Sequence, residues 1–295
     1  LLRPILALAT AAAIWGISFP IVKDAYADIS PLLLLAIRFG LGAVLMPLAA
    51  FRGILQTRPL PRTLRGGALT GVFVGCGMVA QMLGLRDSSA ANTGFLTSLY
   101  IVLVPFVAYL VYRSRVQVQE WWAVVLAGGG IALLSLDPRT LSFAAGDWLT
   151  MVSAMFFAFQ VVLVQRFSSE GQEAWVAWLQ IAVTAAVAGL AVGVGLEGES
   201  FLRGTPRLYW ALGFTVIGPT VAAFLLQSWG QRHTTATRAA LIFATEPVFA
   251  GLASTWLLSE TWPPRRLTGA ALILGAILVA EVKLKPRRNR EHISK

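Results

Sequence analysis

A chain of 295 residues that is 57% hydrophobic and 13% charged carries about half the charge usual for a soluble domain, roughly 25%. Its net charge of +10 would suit a nucleic-acid partner, but the basic residues fall in short gaps between apolar stretches, so none is expected and a lipid bilayer is. The single cysteine, Cys76, excludes an intrachain disulfide, and the peripheral His233 and His292 offer no metal cluster. No metal and no cofactor are expected.

A helix crosses a bilayer with about 20 apolar residues. Ten such stretches are predicted, near 4–22, 31–51, 66–85, 90–112, 121–136, 148–166, 173–196, 208–230, 236–258 and 265–284. The longest gaps, 52–65 and 197–207, leave no room for a soluble domain. The first stretch is not expected to be a signal peptide, because no small-residue cleavage site follows it. Nine tryptophans, from Trp121 to Trp262, lie near span ends as an interfacial belt, whereas Trp15 falls midway along the first span.

Along the chain the spans differ in what they place at mid-depth. The first holds Trp15 and Ser18, and the second holds Arg38. The third has Gly67, Gly71, Gly75 and Gly77, then Gln81, and the fourth has Tyr100. Glycines four apart let helix backbones approach closely; Gly189 and Gly193 in the seventh span and Gly128 to Gly130 in the fifth are read the same way. The sixth presents Ser153, Phe157 and Gln160, and the eighth repeats the spacing with Thr220, Phe224 and Gln227. Positions i, i+4 and i+7 share one helix face. The ninth carries Thr245 and Glu246 directly before Pro247. Prolines 20, 47, 105, 219 and 247 each free a carbonyl one turn earlier, which needs another partner in lipid.

Two segments echo one another. Residues 84–96, GLRDSSAANTGFL, align with 230–242, GQRHTTATRAALI, at an offset of 146, while Pro105 and Pro247 differ by 142, about one helical turn less. The expected fold is all-α and integral to the membrane: ten transmembrane helices in two inverted five-helix repeats, 1–140 and 146–284, with a basic tail at 285–295. Five spans per half is odd, so the halves enter the membrane from opposite sides, an arrangement found in secondary transporters. With the N-terminus on one side, that side carries sixteen Lys and Arg and the other seven, which puts both termini in the cytoplasm.

Polar groups facing lipid lack partners, so the mid-depth residues should point into the bundle. Trp15, Phe157 and Phe224 are the candidate contacts for the apolar part of a solute, and Ser18, Gln81, Tyr100, Gln160, Gln227 and Thr245 for its polar part. The competing reading is hydrogen bonding between helices, worth about 0.6 kcal/mol per pair. Arg38 and Glu246 are expected to pair or approach one another, either as a structural ion pair or as a substrate or proton site. No nucleophile–base pair is visible, so an enzyme is not expected.

Trp15-Gly16-Ile17-Ser18-Phe19-Pro20, Arg38-Phe39 and Glu246-Pro247-Val248-Phe249-Ala250, each in its own span, resemble the drug/metabolite transporter superfamily, EamA type. The ring-rich centre is similar to its aromatic amino-acid exporter branch, known as YddG. The resemblance implies an alternating-access exporter of small metabolites in a bacterial inner membrane, amino acids including aromatic ones foremost, acting as a monomer or weak dimer. A broad-specificity drug or sugar exporter and a non-transporting membrane protein stay open as alternatives. The first half offers Val104-Pro105 where the second has Glu246-Pro247, so no symmetric role for Glu246 is implied.

Overall fold

The computed structural model describes residues 2–88, 90–113, 117–135, 145–258 and 264–281. The basic tail, Trp262 and the loop around Arg139 lie outside the described residues. Proline is the first residue of four helices, at Pro31, Pro61, Pro206 and Pro264, where its missing N–H has no helical partner to lose. In chain order the helices are α1 (Leu2–Ala25), α2 (Pro31–Ala49), α3 (Phe51–Ile54), α4 (Pro61–Asp87), α5 (Ala90–Ser98), α6 (Tyr100–Tyr112), α7 (Val118–Ser135) and α8 (Ala145–Phe167). They continue as α9 (Glu173–Gly193), α10 (Pro206–Thr215), a π-helical segment (Val216–Ala222), α11 (Ala223–Gln231), α12 (Ala236–Phe243), α13 (Glu246–Leu258) and α14 (Pro264–Glu281). Among the described residues the only β pairing is an isolated bridge between Ile29 and Leu202.

Seven runs among the described residues are long and apolar enough to cross a membrane: 2–25, 31–49, 61–87, 93–112, 145–167, 173–193 and 206–231. The other three predicted stretches also hold helices. An apolar helix runs through the fifth over 118–133, and α14 opens on Arg265 and Arg266. The stretch 236–258 is divided, because Pro247 has no N–H for the carbonyl of Phe243 and its ring crowds that carbonyl, so α12 ends there. Large apolar side chains line the outside; Leu110, Leu190 and Leu278 are each 68–70% exposed. Such a surface suits acyl chains and is costly in water.

The offset read from the sequence recurs in the helix boundaries. α12, α13 and α14 begin at 236, 246 and 264, each 146 residues after α5, α6 and α7 at 90, 100 and 118. The prolines therefore mark no slip in register; Pro105 lies mid-way along α6 whereas Pro247 is the second residue of α13. In this register Tyr100 corresponds to Glu246.

Helices of the two sequence halves interleave. α4 lies against both α8 and α9, α2 against α9, α1 against α11 and α13, and α7 against α14. Gly67, Gly71 and Gly75 receive Leu179, Val183 and Val187 of α9, and a Cβ added at Gly71 would lie 2.6 Å from that of Val183. The expectation fails for Gly189 and Gly193, which face open space, as does Gly129; in α7 only Gly130 approaches a backbone, that of Gly269 in α14. Spacing alone cannot distinguish a packed glycine face from one turned to lipid.

The α1–α2 turn is tied to the α9–α10 connection. Asp28 accepts from Arg207 at 2.7 Å and from the Thr205 hydroxyl at 2.9 Å. Glu197 accepts the N–H groups of Leu32 and Leu33 at 2.7 and 3.2 Å, so a carboxylate closes the N-terminus of α2. The Arg207 and Thr205 hydrogen bonds hold the Asp28 carboxyl below its usual range. Because the folded value is depressed, this contribution is complete above the ordinary carboxylate range and is lost as pH falls through the folded value. Arg207→Gln is therefore expected to lower the melting midpoint at neutral pH, with the difference from wild type closing as pH falls through the acid range. Thermal midpoints in detergent across an acid series check this.

Candidate substrate cavity

The middle of the bundle holds a partly open cavity lined at mid-depth by rings and polar tips. Ten of the eleven residues singled out from the sequence line it: Trp15, Ser18, Arg38, Gln81, Tyr100, Phe157, Gln160, Phe224, Gln227 and Glu246. Thr245 is not among the lining residues; it is buried, and its hydroxyl donates to the Ile242 carbonyl at 2.7 Å. At the break between α12 and α13 that carbonyl is the nearest use for the hydroxyl.

The apolar wall is built from rings in edge contact. Trp15 meets Phe224 at 5.9 Å and Phe243 at 5.4 Å between centroids, and Phe224 meets Phe39 at 5.8 Å. Edge-to-face geometry sets the positive rim of one ring against the negative face of the next. The Trp15 indole N–H donates to the Pro219 carbonyl at 2.9 Å, which fixes the ring in place. Pro219 also frees the Thr215 carbonyl one turn earlier, and the Thr220 hydroxyl donates to it at 2.8 Å. The same Thr220 oxygen accepts from Arg38 Nε at 2.7 Å. A proline gap is thus repaired by a side chain that in turn holds the buried guanidinium.

Several of the expected solute contacts are instead engaged with other helices or, for Ser18, with its own. The Gln160 amide donates to Gln180 at 2.7 Å and to Gln227 at 3.1 Å, and Gln180 reaches Ser228 at 3.4 Å. This layer joins α8, α9 and α11. Gln81 donates to Thr97 at 2.9 Å, and Ser18 to the Trp15 carbonyl at 2.7 Å. Gln180 and Phe243 were missed by sequence reasoning. A single carboxamide in the middle of an apolar span, and a ring one turn before Glu246, are the signals that mark them. Gln180→Leu is expected to cost about 0.6–1.7 kcal/mol, the range for one membrane hydrogen bond, seen as a lower melting midpoint in detergent.

Arg38 and Glu246 both line the cavity, and among the described residues no salt bridge joins them. Arg38 is held on the α2 wall by Thr220, with its guanidinium carbon 5.2 Å from the Phe39 ring centroid. Glu246 sits on α13, whose backbone presses on Gly16 of α1. Among the described residues the Glu246 carboxylate, the Tyr100 hydroxyl and the two terminal nitrogens of Arg38 have no hydrogen-bond partner.

An all-helical chain with seven long apolar helices around an internal, ring-lined cavity has the form of a multi-pass membrane protein that handles a solute. The EamA-like transporter family model matches residues 2–136 and 144–281, and the chain belongs to that family, within the drug/metabolite transporter superfamily. It is 31% identical over 280 residues to an "Uncharacterized transporter" of Archaeoglobus fulgidus, covering 95% of this chain and 86% of the relative. It is 25% identical over 294 residues to "Uncharacterized transporter YvbV" of Bacillus subtilis, covering 97% and 94%. A solved structure described as "Crystal structure of protein" shares the fold, with a TM-score of 0.75 at 20% identity over 94% of this chain and 96% of that one.

Proposed function

We propose that this transporter is an alternating-access carrier of a bacterial inner membrane that exports small amphipathic metabolites, amino acids including aromatic ones foremost. The carrying observation is the cavity itself: rings of Trp15, Phe157 and Phe224 beside Tyr100, Glu246 and an Arg38 that Thr220 holds through Nε alone. The ten helical stretches then span the membrane as two inverted five-helix repeats, a reading supported by the 146-residue register of α5–α7 and α12–α14. With both termini cytoplasmic, the lining reaches Val22 and Leu85 near the outer ends of α1 and α4. The glutamine layer and the Arg232–Glu173 pair close the inner side. That arrangement supports an outward-facing state.

The interleaved packing means that the moving bodies contain helices from both halves, instead of one half rocking against the other. The test is counterflow in liposomes loaded with tryptophan, threonine or a cationic dye, with and without a pH gradient. Tryptophan counterflow is expected. Uptake of the dye alone would replace this reading with a drug exporter, and no counterflow of any amino acid would overturn it.

A further inference from the structure

Two arginines near the α11–α12 turn are each given a carboxylate: Arg232 meets Glu173, and Arg238 meets Glu120. Arg62 and Arg166, on the same side of the membrane, are not. Among the described residues neither lies within ion-pair distance of an acid. Arg62 donates to the Arg166 carbonyl at 3.4 Å, and Arg166 to the Val111 carbonyl at 3.1 Å. Both guanidinium groups lie over the Phe167 ring, 5.8 and 5.9 Å from its centroid, and Arg166 is also 5.9 Å from that of Tyr112. A Cβ on Gly66 would run into the Phe167 ring, so that glycine gives the ring its place. Two exposed like charges thus share one ring with no acid between them.

Arg62 is also the second residue of α4. A helix N-terminus favours an anion and disfavours a cation. No side chain caps this end, and its first turn holds no acid. Toward the membrane centre, Leu69 and Phe73 continue the face of Arg62. Leu69 is 45% exposed, and Phe73 stacks on Phe159 of α8 at 5.0 Å between centroids. From Arg62 to Phe73 the face runs about 16 Å, roughly the hydrocarbon depth of one leaflet.

We propose that the seam between α4 and α8 binds an anionic phospholipid of the inner leaflet, its phosphate on Arg62, Arg166 and the uncapped N-terminus of α4, and an acyl chain along Leu69, Phe73 and Phe159. A guanidinium has five N–H donors, and each of these two spends one on a carbonyl. Stacking on Phe167 orients the groups without using the rest, which leaves planar forks suited to a phosphate. Phosphatidylcholine brings its own cation to the same place and is disfavoured there. α4 and α8 also carry Gln81 and Gln160 of the cavity wall. A lipid seated on the seam therefore holds together, at their inner ends, two helices that shape the solute site.

The test needs no flux and does not depend on what the carrier moves. The full chain in detergent is titrated with phosphatidylglycerol or with phosphatidylcholine of the same acyl chains. Bound lipid is counted by native mass spectrometry, and the melting midpoint is followed alongside. Phosphatidylglycerol is expected to bind at least about tenfold more tightly than phosphatidylcholine and to raise the midpoint more. Arg62→Gln combined with Arg166→Gln should erase that preference. Arg3→Gln combined with Arg52→Gln, which removes two exposed arginines from the same side, should keep it. Equal binding of the two lipids by the wild type overturns the proposal. An equal loss in both variant pairs also overturns it, because general charge attraction then suffices. Glycerol phosphate, which lacks acyl chains, should not reproduce the rise in midpoint; if it does, the site takes soluble phosphate and the lipid assignment falls. The wild-type comparison stands even where a variant fails to fold.

Discussion

Gly16→Leu is expected to abolish assembly of the protein, and Gly16→Ala to lower its melting midpoint by many degrees. A Cβ at this position would lie 2.4 Å from the Glu246 carbonyl oxygen and 2.9 Å from the Ala250 nitrogen. Both obstacles are backbone, so no rotamer change relieves the clash and α1 must lift away from α13. Overpacking of ordinary cores costs about 1–3 kcal/mol, and here the wall of the cavity moves with the helix. The check is the melting midpoint and the monodisperse fraction in detergent, with Gly189→Ala as the control because that position faces open space. A Gly16→Ala protein as stable as wild type would show that α1 and α13 do not meet in this way.

Trp15→Ala should be nearly as damaging. It removes edge contacts to Phe224 and Phe243 and strands the Pro219 carbonyl. Large aromatic truncations in cores cost about 3–5 kcal/mol. Trp15→Phe keeps most of the ring contact but leaves the carbonyl unpaired, an effect of about 1–3 kcal/mol. The expected order of melting midpoints is wild type, then phenylalanine, then alanine, and tryptophan counterflow should fall in the same order. Alanine and phenylalanine variants of equal stability would mean that the hydrogen bond, not the ring, carries the effect.

Much of the cavity was legible because a membrane makes polar placement expensive. A glutamine, tyrosine, arginine or glutamate at mid-depth has few places to go, and ten of the eleven polar and ring residues singled out at that depth line one space. What the sequence withheld is partner choice. Gln160 and Gln227 carry the same spacing as a solute-binding stripe, yet they bond to each other and Gln160 also bonds to Gln180. The glycine spacing of α4 and that of α9 look alike, and only the former meets a neighbour. The ring wall is brought together from α2, α11, α1 and α12, a set no local pattern announces. Helix boundaries were clearer in one respect: the 146-residue offset seen in two short segments persists through three consecutive helices of each half.

The interleaving of the halves has a consequence for how the protein is made. α4 meets α8 and α9, and α1 meets α11 and α13, so the earliest helices to leave the ribosome wait in the bilayer for partners synthesised much later. The glycine face of α4, which takes Leu179, Val183 and Val187, stays uncovered throughout that interval. A chain cut between residues 135 and 145 should therefore give two fragments that are degraded when made singly and recovered when made together. Biogenesis, not only the finished fold, then depends on the second half arriving before proteolysis finds the first.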